Sequence, residues 1–243
     1  MASQPIFCMG CWQNMKLPIA LRTIAAVPFR AVGIRQSRMN PNTCTICETM
    51  FERVMKARQV EIDATILFAD LRGYTSLSQS QSSGAIAKLL DAFYDVCGEA
   101  IWEEDGIINK TMGDAVMAVF NFPIKHEDHA THALASARKI QELWRARRDE
   151  LSQAFGAEAA TIGVGIGLDT GRVNFGEFGR THQDLTAIGT VVNVASRAQS
   201  AAASDQILMT AAVREKAGAA LPESAGQDYQ LKGIEAPARL WAA

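Results

Sequence analysis

Two aspartates stand where apolar runs meet turns. Asp70 closes residues 64–69 (ATILFA) ahead of Leu71-Arg72-Gly73, and Asp114 follows Met112-Gly113 between two β-rich runs. Carboxylates at the ends of neighbouring strands can hold Mg²⁺, which prefers hard oxygens and takes only one or two carboxylates from the protein. Two such ions ~3.5–4 Å apart activate an attacking hydroxyl and neutralise a leaving group. Aspartate at strand ends is also ordinary turn chemistry, so spacing alone leaves a structural role open.

Five cysteines offer a second chemistry. Cys8/Cys11 and Cys44/Cys47 are two C-x-x-C pairs, which together could give a tetrahedral four-thiolate Zn²⁺ site. The 32 residues between the pairs exceed the ~15–20 of the usual spacing. That segment holds only Gly33 for making turns. The sequence therefore favours buried thiols, with Cys44 and Cys47 on one side of a helix starting near Thr43, and keeps zinc as the alternative. Three other signals carry less. Gly163, Gly165 and Gly167 alternate in a strand, but the last glycine of G-x-G-x-x-G would fall on Leu168 or Thr170 and no helix follows, so the dinucleotide fingerprint is absent. His126, His129 and His132, set among Lys125, Glu127 and Asp128, read as a solvated helix start rather than metal ligands. Arg145, Arg147 and Arg148 read as an exposed helix face.

The elements that must position these groups follow from hydrophobic period. Residues 42–59 read as a helix behind Asn42 and Thr43, with Ile46, Met50, Phe51, Val54 and Met55 recurring at helical steps. Residues 64–69 read as a buried strand, 84–104 as a long helix, and 107–111 with 115–120 as a hairpin. A helix over 128–152, strands near 161–168 and 172–178, a helix over 191–202, and short strands near 206–210, 227–231 and 238–242 complete the pattern. Helices interleaved with antiparallel hairpins make an α+β fold.

Three motifs change the weight of the aspartates: residues 68–75 (FADLRGYT), 110–114 (KTMGD) and 186–197 (TAIGTVVNVASR). In this order and at these separations they resemble the catalytic motifs of class III nucleotidyl cyclases, and Leu231-Lys232-Gly233 also fits. The resemblance runs from about Val60 to the C-terminus. It implies a ferredoxin-like catalytic domain over 60–243 and leaves 1–59, with its cysteine pairs and helix, as a regulatory or dimerising appendage.

The family forms head-to-tail dimers with active sites at the interface, so the resemblance implies a homodimer with two sites. One chain would supply Asp70 and Asp114 as ligands of two Mg²⁺ or Mn²⁺ ions. Its partner would supply Lys110 and Thr186 to read the purine, Asn193 to orient the ribose and Arg197 to meet charge on the α-phosphoryl group. Lys232 is a candidate for the triphosphate. Lysine can donate to adenine N1 and threonine can accept from the 6-amino group, whereas guanine offers a carbonyl there. The expected activity is therefore conversion of ATP to 3′,5′-cyclic AMP and pyrophosphate. Threonine at 186 resembles the subgroup in which bicarbonate often stimulates activity, which makes bicarbonate a candidate effector. The family usually has Asp where Thr190 stands, and Thr190 is expected to take a helix-capping or interface role.

Guanylate cyclase activity, and a silent nucleotide- or bicarbonate-sensing interaction protein, are the alternatives. Diguanylate cyclases share a related core, but their Gly-Gly-Asp/Glu-Glu-Phe turn is missing at 112–115. Composition bounds all of these readings. The chain has 243 residues, 48% hydrophobic and 21% charged, so it can bury a core. Its net charge of -2 gives no general field for nucleic acid or an anionic membrane. The most apolar stretch, 17–32, is broken by Pro18, Arg22, Pro28 and Arg30, so no membrane span is expected. The N-terminus lacks a secretory pattern, and the expected location is the cytoplasm.

Overall fold

The computed structural model describes residues 5–155, 161–179, 184–218, 225–233 and 236–243. Its centre is a sheet built from β1 (Val60–Arg72), β2 (Ile107–Met112), β3 (Ala115–Phe120) and β4 (Gly163–Phe178), in the order β2-β3-β1-β4 with every neighbour antiparallel. Helix α4 (Tyr74–Ser80) and the longer α5 (Ser83–Glu103) join β1 to β2, and α6 (His129–Phe155) joins β3 to β4. This β-α-β-β-α-β weave is the expected ferredoxin-like α+β core. Ser82 starts α5, its hydroxyl accepting the Ala85 N–H at 3.3 Å. Beyond the core, β5 (Asp184–Ile188) pairs with the end of β4. Helix α7 (Thr190–Ala201), β6 (Ile207–Thr210), α8 (Ala211–Ala217), β7 (Gln227–Tyr229) and β8 (Ala238–Ala242) follow, and β6, β8 and β7 extend the sheet past β4.

Strand alternation gives the sheet two buried faces. On one, Leu67, Ala69, Leu71, Val116, Ala118 and Phe120 meet α5 and α6. Phe93 of α5 and Trp144 of α6 cross edge to face there at 5.6 Å, and burying Phe93 contributes roughly 1.5–3 kcal/mol. On the other face Ile66, Phe68, Met117, Val119 and Phe175 pack with Ala195 of α7 and with Met55 of α3 (Thr45–Ala57). Phe51 of α3 meets Phe122 at 5.3 Å. Ahead of α3 lie α1 (Met9–Met15), a 3-10 turn at Ile24–Ala26 and α2 (Val27–Ala31). No helix among the described residues is long and apolar enough to cross a membrane.

The two strands expected near 161–168 and 172–178 are one. Asp169-Thr170-Gly171-Arg172 reads locally as a turn, but pairing with β1 runs unbroken from Gly163↔Arg72 to Phe175↔Val60, with Gly171 opposite Ala64. His129 also departs from expectation. It is buried, and its Nδ1 lies 2.7 Å from the Thr65 hydroxyl, whereas His126 and His132 remain half-exposed against Asp105 and Glu104. The alternating glycines of β4 make room. A Cβ on Gly165 would stand 2.6 Å from Arg72 Nη2, and one on Gly167 would stand 2.7 Å from Gln199 Cα. Their bare face lets α7 and Arg72 lie directly on the strand.

Candidate active site

Asp70 and Asp114 meet at one edge of the sheet. Asp70 pairs with Ala115 in the β1–β3 register, and the Leu71 N–H donates to the Asp114 carbonyl at 3.1 Å. The β2–β3 turn that carries Asp114 is braced from α5, where the Tyr94 hydroxyl donates to the Gly113 carbonyl. The two carboxylates feel one another. Burial, and secondarily the charge of Asp114, push the Asp70 carboxyl up to about 6 against the opposing pull of Arg72. Arg72 Nη1 donates to Asp70 Oδ1 at 3.1 Å, while its Nη2 donates to the Gln199 carbonyl of α7. A half-buried pair of hard-oxygen donors with repelling charges fits a divalent cation, which would relieve the repulsion.

Lys110 and Thr186, the two residues expected to read the purine, lie on β2 and β5. Between Ile108 and Lys110 the β2–β3 pairing skips a residue, leaving Asn109 as a bulge without a register partner on β3. Its side chain crosses to β5 instead. Asn109 Nδ2 donates to the Leu185 carbonyl at 2.9 Å, and the Thr186 hydroxyl lies 3.2 Å from Asn109 Oδ1 and 3.3 Å from the Ala187 carbonyl. Lys110, half-buried, is the next residue of β2.

Helix α7 separates two roles by its faces. Ala195, Ala198 and Gln199 are buried against the sheet, whereas Asn193 and Arg197, four residues apart, are exposed. Buried Gln199, whose carbonyl accepts from the Arg72 that also pairs with Asp70, marks the face of α7 toward the carboxylates, and Arg197 precedes it by two residues, roughly 200° around the helix. Arg197 therefore faces away from the carboxylate pair of its own chain. Gly189, with no side chain to offer, is the α7 N-cap, and Thr190 is the first helical residue, so Thr190 does not take the capping role expected of it. Lys232 is exposed in the turn after β7. Sequence reasoning missed Asn109, Arg72, Gln199 and Tyr94. Only Asn109 left a signal, as a strand-disfavoured residue inside a β-rich run.

Residues 56–236 match the adenylate and guanylate cyclase catalytic domain family. The chain belongs to this family. Its cyclase domain is 40% identical over 135 residues to an adenylate cyclase of Anabaena cylindrica, covering 55% of this chain and 26% of that protein. It is 30% identical over 136 residues to adenylate cyclase 1 of Rhizobium meliloti, covering 56% of this chain and 20% of that protein. The chain thus spans about a quarter of one of these curated relatives and a fifth of the other. Among solved structures, the guanylyl cyclase Cya2 superposes with a TM-score of 0.70 at 26% identity, over 76% of this chain and 92% of that one. The adenylyl cyclase CyaB from P. aeruginosa gives 0.68 at 26%, over 76% and 95%. Fold likeness is nearly equal toward a guanylyl and an adenylyl cyclase, so the choice of base rests on side chains.

The raised Asp70 carboxyl sets a pH dependence for the cyclase domain. Its pKa is higher folded (about 6) than unfolded (3.8), so the native state binds the proton more tightly. Native stability from this group is therefore present at low pH and lost as pH rises from 3.8 through about 6. A cation competes with that proton. Nucleotide-free Mn²⁺ affinity, followed by electron paramagnetic resonance, should weaken about tenfold from pH 7 to pH 5. An affinity independent of pH over that range would contradict Asp70 as a ligand.

Proposed function

We propose that the chain is an adenylate cyclase that closes ATP to 3′,5′-cyclic AMP at the interface of a head-to-tail homodimer. The ribose 3′ oxygen attacks the α-phosphorus in line, the bond to the bridging oxygen breaks, and pyrophosphate leaves. Positioning and electrostatics carry such a reaction. Asp70 and Asp114 of one chain would hold Mg²⁺ or Mn²⁺. When bound, those cations supply charge neutralisation around the phosphates and favour loss of the 3′-hydroxyl proton. Arg197 of the other chain places a planar, permanently charged donor set on the α-phosphoryl oxygens as charge builds there. Asn193, one turn earlier on the same face, orients the ribose. Lys232 is assigned to the triphosphate and Lys110 to adenine N1.

The division between two chains is supported by α7, whose Arg197 face turns away from its own Asp70. Met112 beside the Asp114 turn and Ile188 at the end of β5 are large apolar residues 44% and 43% exposed, which suits a surface that a second copy covers. Bicarbonate remains a candidate effector on the strength of Thr186 alone.

The preference for ATP is carried by one observation, the Asn109 bridge. The Leu185 carbonyl can only accept, so it fixes the Asn109 amide with Nδ2 toward Leu185 and Oδ1 toward Thr186. Both neighbours of the Thr186 hydroxyl are then acceptors, and its proton is directed to one of them. The hydroxyl oxygen is left as an acceptor, matching the adenine 6-amino donor and opposing the guanine carbonyl. Asn109→Ala frees the hydroxyl to rotate. It should lower the ratio of kcat/KM for ATP over GTP about tenfold, the worth of one hydrogen bond. An unchanged ratio in a folded variant would refute this role.

The direct test is incubation of purified protein with ATP or GTP and Mg²⁺ or Mn²⁺, with chromatographic assay of cyclic products. Cyclic AMP formed faster than cyclic GTP is expected. Faster turnover of GTP would make it a guanylate cyclase, and no product from either would leave a silent sensor.

A further inference from the structure

The four paired cysteines converge. Cys8, Cys11 and Cys44 are fully buried and Cys47 nearly so. Cys11 Sγ lies 3.5 Å from Cys44 Sγ and 3.3 Å from Cys47 Sγ, and Cys8 Sγ lies 3.6 Å from Cys47 Sγ. All four sulfurs fall within 4.8 Å of one another. Apolar packing of thiols gives no reason for four to meet at one point. A tetrahedral zinc centre does, because Zn–S bonds of about 2.3 Å place the ligand sulfurs about 3.8 Å apart. An iron–sulfur cluster carries several irons and sulfides between its cysteines and holds them further apart.

The backbone meets one of the sulfurs directly: Cys11 N–H donates to Cys8 Sγ at 3.4 Å. Gly10 permits the approach, since a Cβ there would stand 2.9 Å from Cys47 Sγ. The long connection between the pairs closes without further glycines. Lys16 and Thr23 take positive φ of 56° and 64°, and Cys8 N–H donates to the Ile19 carbonyl at 2.7 Å. The Arg22 guanidinium then donates to the Pro5 carbonyl at 2.7 Å and to Asn42 Oδ1 at 2.9 Å, tying together the approaches to both pairs.

Among its contacts with the catalytic core, this segment is hydrogen-bonded to the chain just ahead of β2. Asn40 Nδ2 donates to the Gly106 carbonyl at 2.7 Å, Asn42 Nδ2 donates to Asp105 Oδ1 at 2.6 Å, and Trp102 Nε1 donates to the Met39 carbonyl at 3.0 Å. Gly106 immediately precedes β2, the strand that carries Asn109 and Lys110 and leads to Asp114.

We propose that Cys8, Cys11, Cys44 and Cys47 bind one Zn²⁺ as four thiolates, and that this ion holds the N-terminal segment on the root of β2. Binding displaces the remaining thiol protons to solvent, so affinity falls at low pH. The site is independent of which nucleotide the enzyme takes, and its test needs no activity assay.

The full chain, purified without chelators, should contain about one zinc per chain by plasma mass spectrometry. Exchange into Co²⁺ should give the visible d–d and sulfur-to-metal bands of tetrahedral thiolate cobalt. Cys47→Ser should lose the metal, and Cys97→Ala, a buried thiol outside the cluster, should keep it. Failure of the reduced wild-type chain to take up zinc or cobalt would overturn the site, as would recovery of iron or retention of zinc in Cys47→Ser. Removing zinc with a mercurial should speed amide exchange about tenfold over residues 102–112, the signature of a local opening. Unchanged exchange there would overturn the link to β2.

Discussion

Arg197→Ala is expected to lower cyclic nucleotide formation about 10²–10³-fold, by analogy with removing one preorganised donor to a developing oxyanion. The loss belongs in kcat, because the guanidinium is assigned to charge that builds only as the α-phosphorus is attacked. Arg197 is exposed on α7 and its removal takes nothing from the core, so the denaturation midpoint should stay within about 0.5 kcal/mol of the parent. Arg197→Lys should recover only part of the rate, since an ammonium restores charge but not the planar fork. Near-parental turnover of Arg197→Ala would show the assignment to be wrong.

Asp70→Asn is expected to cost more, about 10³-fold or beyond, because a carboxamide replaces a metal-binding carboxylate and several kcal/mol of charge stabilisation are lost. The substitution is isosteric, which separates chemistry from folding. In the metal-free protein the Asp70 charge is disfavoured by burial and by Asp114, with Arg72 as the opposing partner. A neutral amide relieves the first two and still offers Arg72 an oxygen. Calorimetry at pH 7 without metal should therefore find Asp70→Asn about as stable as the parent. Parental turnover in Asp70→Asn with either Mg²⁺ or Mn²⁺ would remove Asp70 from the mechanism.

Local pattern carried much of the architecture. The apolar run ending at Asp70, the hairpin around Gly113-Asp114 and the striped helices of α5 and α6 are readable because period, caps and turn residues act within a few positions. The missed parts depend on pairing across long stretches of chain. Residues 169–172 look like a turn until β1 lies alongside them. Arg72 reaches Gln199 and Asn109 reaches Leu185 only once the sheet has assembled. The meeting of the two cysteine pairs was hidden for a related reason. Their long connection seemed short of glycines, yet Lys16 and Thr23 adopt left-handed backbone where the ribbon requires it. The three-motif resemblance supplied roles for the site residues that spacing alone left open, but it said nothing of the Asn109 bulge beneath Thr186.

Two chains must complete one site, and mixing two inactive variants tests that directly. Asp70→Asn and Arg197→Ala, each nearly silent alone, are combined under verified subunit exchange and assayed for cyclic AMP from ATP. In each mixed dimer one site inherits both lesions and the other inherits none. Random exchange of equal amounts should thus restore about a quarter of parental activity. Activity that stays at the level of the separate variants would contradict a shared interface.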